Sequence, residues 1–150
     1  TDHADNPLSY SADYYLVDVK TFIANLEASL RYEVLGAGGA QAFQTPLASL
    51  HKFQGEADVL LSTPIDGIAD TSLSLKFNGG SFGPFKDITP TVRLHQFEAD
   101  RGGATYGQEI DLAVQAKLAD VKLKLAFADY RADAFASDRQ RVFASISKRF

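Results

Sequence analysis

The sequence predicts an all-β protein, an antiparallel up-and-down (meander) β-barrel of 7–8 strands with one long loop. Apolar and polar residues alternate with a period of two along most of the chain, which is typical of strands whose two faces meet different surroundings. Tight turns and longer loops follow these strands in alternation. No apolar run approaches the roughly 18 residues that a membrane-spanning helix needs, since the longest are short runs such as Val59-Leu60-Leu61. We treat residues 1–150 as one domain.

Seven segments of the chain carry the alternation. The clearest is residues 25–34, where Leu26 and Leu30 lie on one face and Glu27 lies on the other. Segment 10–22 is rich in β-forming residues but alternates less cleanly. In chain order the predicted strands are residues 10–22, 25–34, 71–77, 88–94, 106–118, 121–128 and 141–149.

The predicted connectors differ in length between the two ends of the sheet. Ala24-Asn25 and Ala119-Asp120 are tight turns, and the connector 78–87 is somewhat longer. The connectors at the opposite end are residues 36–69, 99–105 and 131–138. Short turns at one rim and long loops at the other are typical of outer-membrane barrels, so the sequence predicts a barrel of that type.

The segment 36–69 is long for a connector without regular structure, and such loops are usually functional or disordered. It has a turn at residues 63–67 and an apolar set that predicts a loop packed against other parts of the protein. That set is Phe43, Leu47, Leu50 and Phe53. We expect this loop to fold into the barrel mouth. The alternative is an eighth strand at residues 55–62.

Composition excludes several functions. The net charge of −4 gives no indication of a nucleic-acid partner. The absence of Cys removes thiolate nucleophiles and most zinc sites, and the three histidines share no metal-ligand spacing, so no metal or cofactor is predicted. Glu109 and Asp111 share a strand face, as paired carboxylates do in glycosidases. Any alternating polar face produces such pairs, and the sequence therefore predicts no enzyme.

Charged residues occupy the faces opposite the apolar stripes. In a membrane barrel they line the lumen, where basic side chains bias a pore towards anions. The alternative is a solvated outer face of a soluble sheet. The lumen-lining candidates are Glu27, Arg31, Glu33, Lys76, Arg93, Glu109, Asp111, Lys117, Lys122, Lys124 and Arg141.

Several motifs resemble the C-terminal portion of alginate-export-type outer-membrane porins, over most of the chain from Asn6 onward. They are Asp13-Tyr14-Tyr15-Leu16-Val17, Tyr32-Glu33-Val34-Leu35-Gly36, the block from Ala42-Phe43-Gln44-Thr45-Pro46-Leu47 to Gly55, Tyr106-Gly107-Gln108-Glu109, Ala128-Asp129-Tyr130 and the terminal Phe150. The chain departs from the family's pattern at Glu56, where the family tends to carry Trp. It departs again at Lys148, where the last strand usually carries an aromatic residue. The resemblance leaves open that the chain is the C-terminal part of a larger barrel.

The resemblance implies a location in the bacterial outer membrane and passive transport of anionic saccharide or other small solutes. The implied partners are the lipid bilayer and the barrel-assembly machinery, which reads a terminal aromatic residue such as Phe150. Two alternatives remain open. One is a soluble, lipocalin-like or redesigned β-barrel that binds a small apolar ligand, with the apolar faces turned inward. The other is a purely structural barrel, because seven or eight strands leave little room for a channel.

Overall fold

A computed structural model describes residues 11–39, 41–44 and 54–148 of the chain. These residues form eight strands and no helix. The strands are β1 (Tyr14–Ile23), β2 (Leu26–Leu35), β3 (Ile68–Phe77), β4 (Gly80–Phe82), β5 (Phe85–Glu98), β6 (Thr105–Leu118), β7 (Val121–Ala132) and β8 (Arg139–Lys148). Within the described ranges, no helical segment has the length and hydrophobicity required to cross a bilayer.

The eight strands form one antiparallel sheet in the order β1-β2-β3-β5-β6-β7-β8. Strand β4 pairs with β5 alone and continues the path of β3 beyond the break at Asn78-Gly79. The predicted all-β meander is therefore confirmed. No ladder joins β1 to β8 in the part of the chain that the structure describes, and within that part both are edge strands.

The predicted strands match seven of the observed ones, with shifted ends. Two expectations were wrong. The connector 78–87 contains β4 and the start of β5, because the glycines form a bulge rather than a loop. Residues 55–62 form no strand, since their backbone lies across the sheet instead of pairing with an edge. The turn at residues 63–67 is confirmed, with the Gly67 N–H donating to the Pro64 carbonyl at 2.9 Å.

The register places the polar side chains on one face of the sheet and the apolar side chains on the other. One cross-strand row contains Arg31, Ser72, His95 and Glu109, and the neighbouring rows on that face are also polar. The opposite face is apolar and exposed: Leu30 is 56% accessible, Leu112 42% and Leu125 53%. The protein thus buries charged groups while it exposes a continuous apolar surface.

The polar face is concave. A cavity of about 390 Å³ on this face is lined by side chains from β1 to β7, among them Asp18, Arg31, Arg93 and Lys124. Five inter-strand steps separate β1 from β7, which in a flat sheet amount to about 24 Å. One cavity of this size can contact both strands only because the sheet curls around its polar side.

A small apolar core closes the polar face at the long-loop end. It is formed by Leu35, Ala57, Leu60, Ile68, Phe97, Ala99, Tyr106, Ala128 and Tyr130. Ala57 and Leu60 belong to the segment 54–60, so the described part of the long loop packs onto the sheet interior, as expected. Phe43 packs against the same core, whereas Leu47, Leu50 and Phe53 lie outside the described residues.

Tyr130 joins two strands and a loop at this end of the sheet. Its hydroxyl donates to the carbonyls of Tyr106 and Phe135, at 2.8 and 3.0 Å. The ring lies directly over Gly107, where a Cβ atom would stand 2.7 Å from the tyrosine oxygen and closer still to the Arg131 carbonyl. Glycine is therefore required at position 107 for a steric reason.

Substitution of Gly107 by Ala should lower the free energy of unfolding by about 1–3 kcal/mol, the usual cost of forcing extra atoms into a packed site. The matched control is Gly80→Ala, because a Cβ there meets Ile88 only at an ordinary 3.7 Å. Denaturant unfolding of both variants measures the difference. Equal stability of the two would contradict the proposed packing role of Gly107.

Candidate functional site

The predicted lumen-lining residues all lie on the concave polar face, in three zones. Glu27, Arg31, Lys76, Arg93 and Lys124 line the central cavity. Glu33, Glu109 and Asp111 are buried towards the long-loop end, and Arg141 lies beside them under segment 54–60. Lys117 and Lys122 lie at the tight-turn end, where Lys117 pairs with Asp87 at 2.5 Å. Phe150, the predicted assembly signal, lies outside the described residues.

Charges in and beside the central zone are paired, some across strands and some within one strand. Lys76 Nζ lies 3.5 Å from Glu27 Oε2. Arg31 Nη2 lies 3.3 Å from Glu33 Oε2, and Glu33 also accepts the Tyr14 hydroxyl at 3.0 Å. Each carboxylate is thereby compensated by a cation or a hydroxyl group, which keeps the cost of its burial low.

Arg93 differs from these residues. It lines the central cavity but forms no hydrogen bond or ion pair with any other described residue. Its neighbours in the register are Ser74 and Asp111. Its charge acts on the Asp111 carboxylate opposite it, and its place in the cavity lining suits it to meet a dissolved anion.

The buried zone is organised around His95. Its Nδ1 lies 2.9 Å from Asp70 Oδ2, and its Nε2 lies 3.5 Å from Asp111 Oδ2. The ring stacks on Phe97 with 5.2 Å between centroids. A neutral imidazole has only one N–H, so both contacts are attractive when each ring nitrogen carries a proton. The His95 ring therefore serves as a cationic bridge between β3 and β6.

Glu109 connects this buried zone to segment 54–60. Its Oε1 accepts the backbone N–H of Ala57 at 2.8 Å. Gly55 lies so close above the carboxylate that a Cβ would stand 2.6 Å from Oε2. The Glu109–Asp111 pair of the sequence analysis thus consists of one loop anchor and one partner of His95, rather than a matched catalytic pair.

Basic residues of β7 and β8 hold the acidic side chains of the same segment. Lys124 Nζ lies 2.6 Å from Glu56 Oε1, and Arg141 forms an ion pair with Asp58. Arg139 donates to the Asp58 carbonyl at 2.8 Å. These contacts place four side chains of β6, β7 and β8 around residues 55–58.

Arg139 and Arg141 lie on β8, one strand residue earlier and later than Gln140, and not in a solvated loop. Strand β8 begins at Arg139, and its parity turns both arginines towards segment 54–60. Asp138 alone is an exposed loop residue. The Ala132 N–H and the Arg131 guanidinium hold the pKa of its carboxyl below the ordinary value.

Asp70, Glu56 and Asp58 were not among the predicted site residues. Asp70 has the same parity as Ser72 and Lys76, but the predicted strand began one residue too late. Glu56 and Asp58 carry no periodic signal, and Glu56 lies 68 positions from Lys124 in the sequence. Only the three-dimensional arrangement brings them together.

Across the described ranges, no three His, Asp or Glu side chains are arranged to hold a metal ion. Comparison with known proteins found no matching family model, no matching curated protein and no matching solved structure.

Replacement of Asp70 by Ala should destabilise the fold by about 3–5 kcal/mol, because removal of one member of a buried ion pair leaves the other uncompensated. Asp18→Ala is the matched control on the same face. Its partner Lys20 is exposed, and such pairs contribute less than about 1 kcal/mol. Unfolding in denaturant measures both, and a similar small loss for each would refute the structural role of the His95 cluster.

Proposed function

We propose that this chain forms a wall of an outer-membrane β-barrel of the porin class, through which small or anionic solutes pass without energy input. The observation that carries the proposal is the inverted polarity of the sheet: its charges are enclosed and its apolar face is exposed. This arrangement suits a strand that has lipid on one side and water on the other.

The apolar face supports this assignment by its continuity. One cross-strand row contains Leu30, Leu73, Leu94 and Ile110, and the next contains Leu75, Val92, Leu112 and Phe127. Soluble monomers rarely expose contiguous apolar patches larger than a few hundred Å². Seven strands have 10 to 14 residues, and a membrane-spanning strand needs about 9–11.

Aromatic side chains at both ends of the apolar face agree with a membrane location. Tyr15 and Tyr32 lie near the long-loop end, with ring centroids 6.1 Å apart. Phe77 and Phe82 lie near the tight-turn end and are exposed. Aromatic girdles at the two lipid–water interfaces are a general property of outer-membrane barrels.

The lining of the central cavity supports a preference for anions. It includes five Lys or Arg residues against three Asp or Glu residues. Rings of basic side chains select anions by lowering the electrostatic cost of their passage. Arg93 is one of these five cations, and it lies opposite the buried Asp111 in the register.

The alternative of a soluble, lipocalin-like barrel requires the opposite orientation. Its ligand cavity would be lined by Leu30, Leu112 and Leu125, all of which are exposed. Their exposure favours the membrane proposal. Purification provides a direct test, because a monomer that stays soluble without detergent would refute an outer-membrane barrel.

Substitution of Leu112 by Arg should impair assembly into lipid vesicles, at a cost of about 2–4 kcal/mol if the side chain lies near the bilayer midplane. Leu61→Arg is the matched control, since Leu61 is similarly exposed (51% against 42%) but belongs to the long loop. Protease protection after folding into vesicles measures assembly. A soluble barrel would tolerate both substitutions equally.

Substitution of Arg93 by Glu should reduce or reverse the anion preference of the pore, because it replaces a cation of the cavity lining by an anion. The reversal potential in planar bilayers under a salt gradient measures the preference. Arg131→Glu is the control, since Arg131 is exposed and bonded to Asp129 and Asp138. An unchanged reversal potential in the Arg93 variant, or no conductance in the parent protein, would contradict the proposal.

A further inference from the structure

Residues 55–58 occupy a site on the polar face that has the composition of an anion-binding site. Lys124 and Arg141 both lie near the ring of Phe143, at 4.6 and 5.8 Å from its centroid. The two cations come from neighbouring strands whose register is fixed. Glu56 and Asp58, two residues apart, place one carboxylate on each cation.

The backbone of the segment is held at the same place by polar contacts. The Ala57 N–H donates to Glu109, and the carbonyls of Glu56 and Asp58 accept from Arg141 and Arg139, at 3.3 and 2.8 Å. Ala57 is the residue of 55–58 that lies in the apolar core, and Val59 and Leu60, which follow the segment, also pack there. Electrostatic contacts therefore dominate the attachment of residues 55–58.

These attachments are within reach of solvent. The side chains of Lys124 and Arg141 are 25% and 32% exposed, and Lys124 and Glu56 both line the central cavity. A dissolved carboxylate that enters the cavity thus meets Lys124 directly.

We propose that residues 55–58 are a latch in which Glu56 and Asp58 act as tethered ligands of the carboxylate-binding site formed by Lys124 and Arg141. A small dicarboxylate competes for the same two cations and releases the latch from the polar face. The proposal deepens the proposed function, because a released latch widens the path through the cavity. The latch itself can be tested without any measurement of transport.

The chain contains no cysteine, so one introduced thiol reports on one position. Ala57→Cys is suitable because Ala57, a residue of the latch itself, is fully buried while the latch is attached. We expect slow reaction with a membrane-impermeant maleimide in the detergent-solubilised full chain. The added change Glu56→Gln with Asp58→Asn should accelerate labelling roughly tenfold, which corresponds to about 1.4 kcal/mol of lost attachment.

Three controls define the result. Glu98→Gln with Asp120→Asn removes the same charges from exposed positions elsewhere and should leave labelling of the thiol slow. Ser62→Cys, an exposed position, should react rapidly in every background. Hydrogen exchange of the Ala57 amide, measured without any thiol, should accelerate in the Glu56 and Asp58 variant even if Ala57→Cys perturbs folding.

Sodium succinate distinguishes competition for the site from screening by salt. At equal ionic strength, succinate should accelerate labelling of the thiol more than sodium chloride does. Equal acceleration by the two salts, or a labelling rate and amide exchange unaffected by the loss of both carboxylates, would overturn the latch. If labelling responds as expected while no variant conducts, the latch stands and the porin proposal fails.

Discussion

The antiparallel register between neighbouring strands determines which face every side chain of this protein occupies. Because side chains alternate with a period of two, a slip of one residue would move a whole strand's charges to the apolar face. The tight turns at Ala24-Asn25 and Ala119-Asp120 fix that register for two strand pairs. The enclosed charges, the exposed apolar rows and the cavity are all consequences of this one constraint.

Charges enclosed on one face need partners, and the structure supplies them from different strands. His95 joins β3 to β6 through Asp70 and Asp111, whereas Glu109 holds the long loop through a backbone amide. The same polar groups that a membrane barrel excludes from lipid therefore also hold the loop on the sheet. At this end of the protein, the same contacts stabilise the fold and keep the long loop over the polar face.

The alternation of polar and apolar residues predicted most of the sheet, because this period of two residues is a property of each strand by itself. It failed where geometry is set by distant parts of the chain. Strand β4 begins at Gly80, directly after Gly79, and was predicted as part of a connector. Asp70 lay just outside a predicted strand boundary. The contacts of Glu56 and Asp58 join residues that share no sequence pattern. These contacts therefore cannot be predicted from the sequence of the segment alone. Gly107 entered the prediction only within the motif Tyr106-Gly107-Gln108-Glu109. The steric requirement for glycine there comes from the ring of Tyr130, which lies over this position.

The number of strands in the sheet determines the relative direction of its two edge strands. Seven strand positions in an antiparallel sheet leave β1 and β8 pointing the same way. Direct contact between them would be a parallel ladder, the less stable pairing per residue. An antiparallel seam instead requires an odd number of intervening strands. In a hydrocarbon environment the free amide and carbonyl groups along both edges would each cost several kcal/mol. Any membrane-embedded form of this sheet therefore has to satisfy the outward-pointing backbone groups of each edge strand, which belong to alternate residues of its ten.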